Sequence, residues 1–429
     1  RLLGRNAGDK ANIRELFLFT AILWFCMTIL GAIPLFSIIP DFSFAASFFE
    51  SASALSTTGT TAIDHLDSRP PSILLWRSML QFLGGIGFVV IGVAILPNIS
   101  MGGIAIFKTE STSFDCNAKN TPHVKTMALS LLAWYSLTAI LCSFFYYLGG
   151  FSPFVAINSA LCTVSTGGMM PTDASMNDAT PFVHYTAMFF MLLGSCPFFL
   201  ILKSLTDDVF EFFRDQQVRY YLTTIVLVAG TIAITLITFN NYDIEPAFRF
   251  AFFNVITVIS STCFSLDDFS NWNSLATILF IMILALGGCS GSTAGGIKFF
   301  RIAVCLSLFK TEIIKTLHPH AMVEPRYNGN VIDNNTMRAV VTFLVAYISS
   351  LAISSLIATA YGLLPGDAFT YTISALSNIG AGIGPTINPS ISCLKVRPEL
   401  YCLFGFDMIL GRLEIIPVIL CFTRSFWRR

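Results

Sequence analysis

The feature that most limits this chain is a recurrence: uncharged apolar runs long enough to cross a membrane return along its whole length. A hydrocarbon core of ~30 Å takes about 20 helical residues. Such runs occupy Leu16 to Ile39, Ile73 to Leu96, Thr126 to Leu148, Phe182 to Leu202, Tyr220 to Phe239, Leu275 to Leu286 with a glycine-rich tail, Ala339 to Tyr361 and Leu400 to Cys421. Composition agrees, since 54% of the 429 residues are hydrophobic, 12% are charged and mean hydropathy is +0.71. A soluble domain carries roughly twice that charge fraction. The chain therefore reads as an all-α membrane protein with eight spans. Its formal net charge is zero, which gives no basic field for nucleic acid.

Lysine and arginine placement sets the orientation. Nineteen of the 25 fall at the two ends or in the segments joining spans two to three, four to five and six to seven. Arg69, Arg77, Arg249, Lys395 and Arg397 fall on the other side, and Arg412 lies inside the last span. The positive-inside rule then puts both termini in the cytoplasm. The chain opens on Arg1 without a methionine, so a preceding portion is expected, and no cleavable signal peptide is visible. The 11 cysteines are scattered without a C-x-x-C, which suggests neither a disulfide framework nor a zinc site. Cys393 and Cys402 are a candidate pair at the outer surface.

The four outer connections are more than loops. Each opens on a helix-start signal: Pro40-Asp41, Ser152-Pro153, Glu245-Pro246 and Pro365-Gly366-Asp367. Each continues apolar and ends in small or hydroxyl residues, as in Ser56-Thr57-Thr58-Gly59-Thr60, Val164-Ser165-Thr166-Gly167-Gly168, Ser260-Ser261-Thr262-Cys263-Phe264 and Ser377-Asn378-Ile379-Gly380-Ala381. A helix of about 12 residues rises ~18 Å, only partway through a bilayer. The expected fold is four pseudo-fourfold repeats of membrane helix, re-entrant pore helix with filter loop, and membrane helix, at 1–110, 111–215, 216–325 and 326–429.

Irregular backbone at membrane depth survives only where protein or water satisfies it. Four extended segments around a common axis can turn their carbonyls inward to replace the hydration shell of a cation, with glycine supplying the positive φ. The half-helices add the negative ends of their dipoles. One such segment alone reads as close helix packing by small residues. Four in the same place in each unit read as a filter.

In register, TTGTT, STGGM, STCF and NIGAG resemble the filter segments of the Trk/Ktr/HKT superfamily of cation transporters. The resemblance extends to LQFLGGIG in the second span, to GGCSGSTAGGIK at Gly287 to Lys298, and to Gly411-Arg412-Leu413-Glu414-Ile415, which is nearest the Trk potassium-uptake (TrkH) type. It implies K+ as the transported ion, with no further cofactor. The filter triplets it implies are Thr57, Thr58, Gly59; Ser165, Thr166, Gly167; Ser261, Thr262, Cys263; and Asn378, Ile379, Gly380. It further implies a homodimer in the lipid of a bacterial inner membrane and a cytosolic nucleotide-binding regulatory subunit (TrkA type); the basic stretch Lys298 to Lys315 reads either as its contact or as a lipid-facing anchor. Family members of this type carry two more N-terminal helices than this chain shows.

GGCSGSTAGGIK departs from a nucleotide-binding P-loop, because Ile297 stands before Lys298 and Phe299 replaces the magnesium-binding hydroxyl. Its glycines, Gly287, Gly288, Gly291, Gly295 and Gly296, each weaken helix by ~1 kcal/mol relative to alanine. Ser290, Ser292 and Thr293 can bond the freed backbone. The resemblance makes this segment an intramembrane gate and Arg412 a second gating residue below the filter. An ion pair of Arg412 with Asp407 or Glu414 is the structural alternative, and Asp407 has no assigned role. Acidic residues follow three of the filters, Asp64 and Asp67, Asp173 and Asp178, Asp267 and Asp268, where they form a cation-attracting mouth or ordinary solvated loops. Cys263 stands where the pattern has glycine, and a left-handed residue with a Cβ costs ~1–2 kcal/mol. The ring is expected to be irregular there, and a sodium-permeable or ion-coupled member of the fold is the alternative function.

Overall fold

A computed structural model describes residues 13–40, 42–95, 121–206, 208–267, 272–382 and 395–427. Each unit begins with one long apolar helix: α1 (Ile13–Ile38), α4 (Thr121–Leu148), α9 (Gln216–Phe239) and α13 (Asn334–Ala360). Among the described residues these four helices have the length and hydropathy of a complete membrane crossing. A re-entrant helix follows in each: α2 (Phe44–Leu55), α5 (Pro153–Val164), α10 (Ile244–Ile259) and α14 (Pro365–Leu376).

The start signals are satisfied in different ways. Ser152 caps α5, its hydroxyl accepting from Val155 N, with Pro153 in the first turn. Pro365 opens α14, where a missing N–H loses nothing. α10 starts at Ile244, just ahead of the expected Glu245-Pro246. In the first unit the cap is Ser43, whose hydroxyl accepts from Ala46 N at 3.1 Å, three residues beyond Pro40. Asp41 lies outside the described residues.

The second helices differ from one another. α3 (Pro71–Ile95) is continuous. The second unit has α6 (Pro181–Ser195) and α7 (Phe198–Thr206), bent by 99° across a short break, followed by the short α8 (Val209–Arg214). The third has α11 (Ser274–Ile283), an irregular stretch, and α12 (Phe299–Leu317), after which a two-stranded antiparallel hairpin pairs Arg326 with Val331 and Tyr327 with Asn330. The fourth has α15 (Pro398–Arg412) and α16 (Ile416–Cys421), with α17 (Arg424–Trp427) closing the described chain. The expected spans from Phe182 and from Leu400 are thus each broken.

Packing passes from unit to unit. α3 lies against α5 of the second unit, α6 against α10 of the third, and α15 returns to α2 of the first. The second helices approach through one recurrent pair: Leu83-Gly84, Leu193-Gly194, Leu286-Gly287 and Leu410-Gly411. A Cβ on Gly84 would strike Leu55 O, and one on Gly411 would strike Leu376 O; Gly194 lies 3.1 Å by the same measure from Val164 O. Those carbonyls belong to the last residue of each pore helix. Bare Cα surface is what lets a second helix close on the end of a half-helix. Gly287 instead has φ +71 and lies against Gly295 O, and there the helix has already ended.

Gly84→Ala should destabilise the protein by about 1–3 kcal/mol, because the obstructing atom is backbone. The check is a lowered thermal midpoint in detergent against wild type.

Candidate permeation site

Each half-helix ends in the same backbone motif. Its cap residue, Ser56, Ser165, Ser260 or Ser377, is right-handed. The next residue is left-handed although none is glycine: Thr57 (φ 58), Thr166 (φ 53), Ser261 (φ 58) and Asn378 (φ 52). The N–H after that returns to the helix, with Thr58 N to Ser53 O, Gly167 N to Cys162 O, Thr262 N to Thr257 O and Ile379 N to Ser374 O at 2.8–3.0 Å. This is a Schellman closure. Its physical result is that the strand's donors are used up by the helix while its carbonyls are left for other partners.

A second left-handed residue follows two positions later: Gly59 (φ 95), Gly168 (φ 75), Cys263 (φ 62) and Gly380 (φ 79). Backbone register therefore moves the second triplet by one from the sequence expectation, to Thr166, Gly167 and Gly168. Ser165 is the cap, equivalent to Ser56, and lies outside the triplet. The other three triplets keep their expected residues. The run of two adjacent glycines made either one eligible in the sequence, and it is the positive φ at Gly168 that distinguishes them.

The four strands meet. Gly59, Gly168, Cys263 and Gly380 line one cavity together with Thr60, Met169, Thr172, Asp173 and Ser175. A Cβ on Gly380 would abut Thr58 O, one on Gly59 would abut Gly167 O, and one on Gly168 would abut Thr262 O. The strands of units one, two and three thus each present a carbonyl to the Cα of the preceding unit, in the same order as the helices pack. Thr60 Oγ1 donates to Gly380 O at 3.1 Å across the seam of units four and one. Thr57 Oγ1 is buried without a hydrogen-bond partner. Cys263 takes the left-handed conformation of the three glycines, so the expected irregularity is not seen in φ; the chain accepts the Cβ instead.

Beneath the ring lies GGCSGSTAGGIK. Thr293 Oγ1 donates to Gly194 O (3.0 Å) and is 3.1 Å from Thr166 Oγ1, and Gly295 N donates to Ser261 Oγ at 2.9 Å. A Cβ on Gly295 would meet Ser377 O. The stretch therefore touches the filter bases of units two, three and four. Its donors are engaged: Cys289 N with Ser195 O, Ser290 N with Gln217 Oε1, Ile297 N with Ala285 O and Lys298 N with Leu286 O. Ser292 Oγ donates to Cys289 O. Such donors cannot also cradle a phosphate, and Lys298, 3% exposed, has its ammonium 3.3 Å from Glu414 Oε1.

Arg412 stands in the fourth unit at the position of Gly85, Ser195 and Gly288 in the others, one residue after the Leu-Gly pair. It is 2% exposed and donates to Thr293 O (2.8 Å) and Gly84 O (3.4 Å), joining the buried stretch to α3. Of the two carboxylates weighed as its partners, Glu414 bonds Arg301 and pairs with Lys298, while Asp407 accepts from Ser354 at 2.8 Å. Glu414 and Ile415 are both left-handed, which is where the last helix breaks. The Leu-Gly recurrence is the sequence signal for this equivalence, a weak one because its four copies are flanked by different residues.

At the outer face, Asp173 lines the cavity and accepts from Leu66 N at 3.0 Å. Asp267 accepts from Tyr242 and Trp272, and Asp268 lies outside the described residues, as does Cys393. Four of the five outward cations are matched locally: Arg69 and Lys395 with Asp64, Arg77 with Glu50, Arg249 with Glu245. Among the described residues no His, Cys, Asp and Glu cluster is placed to hold a metal.

A multi-pass membrane protein that gathers four carbonyl-rich strands at one point above a buried loop belongs to the cation transporters. The family description "TrkH: Cation transport protein" matches residues 3–429, and the chain is a member of that family. Trk system potassium uptake protein TrkI of Halomonas elongata is 33% identical over 97% of this chain and 84% of that protein. Trk system potassium uptake protein TrkH of Salmonella typhimurium is 30% identical over 99% of this chain and 88% of its own. The crystal structure of the potassium transporter TrkH from Vibrio parahaemolyticus superposes with a TM-score of 0.89 at 28% identity, covering 99% of this chain and 88% of that one.

Asp64 is held below the usual carboxylate range chiefly by its hydrogen bond to Lys395, against partial desolvation, with Arg69 adding to the effect. A depressed folded value gives stability that is present above the unfolded value of about 3.9 and lost as pH falls through the folded one. Asp64→Asn should therefore lower the thermal midpoint at pH 7 slightly, by less than about 1 kcal/mol for a carboxylate this exposed, and converge with wild type in acid. Melting curves across pH check it.

Proposed function

We propose that this chain carries potassium into the cell across a bacterial inner membrane, by channel-like passage through the four-strand ring, with both termini cytoplasmic. The observation that carries the reading is the convergence of Gly59, Gly168, Cys263 and Gly380 on one cavity, each strand with its N–H groups tied back to a half-helix. The printed names of the relatives, potassium uptake proteins, support the choice of ion.

In this reading the pore units 1–110, 111–215, 216–325 and 326–429 each give one strand, and K+ is the substrate. It sheds water to the carbonyls of Thr57 to Gly59, Thr166 to Gly168, Ser261 to Cys263 and Asn378 to Gly380. Inward movement is driven by membrane potential, worth about 2.3 kcal/mol per charge per 100 mV. No covalent step is needed. Gly287, Gly288, Gly291, Ser292, Thr293, Gly295 and Gly296 form the lower gate, and Arg412 sets a fixed positive charge beside it. Opening requires Arg412 to release Thr293 O and the loop to leave the filter bases.

Regulation is assigned to a cytosolic nucleotide-binding subunit, and the assembly to a homodimer. The contact expected at Lys298 to Lys315 narrows to its distal half, because Lys298 and Arg301 are buried against Glu414 while Lys310 and Lys315 are exposed.

Purified protein in liposomes should take up potassium when an inside-negative potential is imposed. Gly59→Asp should abolish uptake, and Arg412→Ala should raise it several-fold by removing the bond to Thr293 O. Uptake equal to empty liposomes, or unaffected by Gly59→Asp, refutes the route. Cys263→Gly should leave potassium uptake within about twofold, since the backbone already holds the glycine conformation; a gain of selectivity above tenfold would favour the sodium-permeable alternative instead.

A further inference from the structure

Two of the four filter strands are held from behind by one helix, α3, through side chains a single turn apart. Gln81, fully buried, donates from Nε2 to Gly167 O at 2.6 Å and accepts at Oε1 from Met169 N at 3.2 Å. A Cβ on Gly167 would lie 2.5 Å from the Gln81 amide carbon, so the close approach requires glycine on the strand. One turn earlier, Arg77 Nε meets Glu50 Oε1 at 2.7 Å, with the residues 1% and 0% exposed. Glu50 also accepts from Thr61 Oγ1 (2.8 Å) and Ala62 N (2.7 Å), the residues that continue the first strand beyond Gly59.

The other units are built differently at the same register. Six residues before the cap, where Glu50 stands, they carry Ser159, Asn254 and Tyr371. Asn254 Nδ2 donates to Leu266 O at 2.5 Å, and Leu266 is the counterpart of Ala62, so the third unit makes a neutral version of the same tie. The charged pair belongs to unit one and the amide clasp to unit two. A buried ion pair contributes little net stability over an apolar pair of the same volume, but it fixes geometry. The amide takes up one lone pair of a filter carbonyl and restrains where that oxygen points.

We propose that Gln81 determines cation selectivity and that Arg77, acting through Glu50, positions the neighbouring strand. The inference rests on the potassium-permeation reading above. A carbonyl ring that collapses around a smaller ion loses its discrimination; α3 opposes that collapse at the seam of units one and two, where Gly59 lies against Gly167 O.

The test measures K+ and Na+ uptake by the full chain in liposomes. Gln81→Leu, similar in volume but without the amide, should lower the K+ over Na+ ratio about tenfold, or ~1.4 kcal/mol of discrimination. A merely structural role would lower both fluxes alike and leave the ratio standing. Arg77→Met should lower the ratio too, with Arg77→Lys, which keeps the charge, recovering part of it. If Gln81→Leu fails to insert, Gln81→Glu decides: it keeps the shape and the acceptor for Met169 N but sets an oxygen against Gly167 O, and the ratio should fall. A ratio unchanged in the inserted variant overturns the proposal alone. A wild-type protein without potassium preference overturns it together with the reading it rests on.

Discussion

The structure depends on one electrostatic constraint, that a peptide group surrounded by hydrocarbon must find a partner. An unmatched one costs several kcal/mol. The Schellman closures at Ser56, Ser165, Ser260 and Ser377 send strand N–H groups back to their own half-helices and leave a surplus of oxygens at mid-depth. That surplus is tolerable only where something positive can take it up, and four strands abutting carbonyl to Cα supply such a place. The bare surfaces of Gly84, Gly194 and Gly411 follow from the same demand, since the second helices must shield the ends of the half-helices closely.

Within this pattern the units have diverged where divergence does work. α3 runs straight through, whereas the other second helices break close to their Leu-Gly pairs, just after them in the second and fourth units and just before it in the third. In the third unit the break widens into a buried stretch bonded to three neighbours. In the fourth, the position held elsewhere by glycine or serine carries Arg412, whose long side chain reaches across to that stretch and to Gly84 O. An approximately symmetric ring thus sits over a wholly asymmetric floor. In the function proposed above, a cation is coordinated evenly above while its exit is governed by a single loop and a single guanidinium.

Much of this was legible in the residues. Span periodicity, the placement of Lys and Arg, and four capped half-helices gave the architecture, because membrane depth leaves few alternatives for a chain so apolar. Arg412 stood out as a charge inside a span. What stayed hidden was register. Gly167 and Gly168 are chemically identical, and their roles diverge only through the backbone, which is left-handed at Gly168 (φ 75) and not at Gly167. The bend between Ser195 and Phe198 had Cys196-Pro197 as its only mark, and the break at Glu414 and Ile415 had only Pro417 just beyond it, since neither residue type favours positive φ. Gln81 lay within a recognised stretch, but its reach to a strand 86 positions away is a tertiary fact.

The hand-over of packing from α3 to α5, from α6 to α10, and from α15 back to α2 has a consequence for how the protein is made. Synthesis runs from the first unit to the fourth, yet the half-helix of the first waits for α15, which is made only with the fourth. Until that helix arrives the circle is open, and no sealed conduit exists to leak during insertion. The same arrangement means that a chain truncated before Pro398 lacks the wall of its own first quarter as well as the end of its fourth.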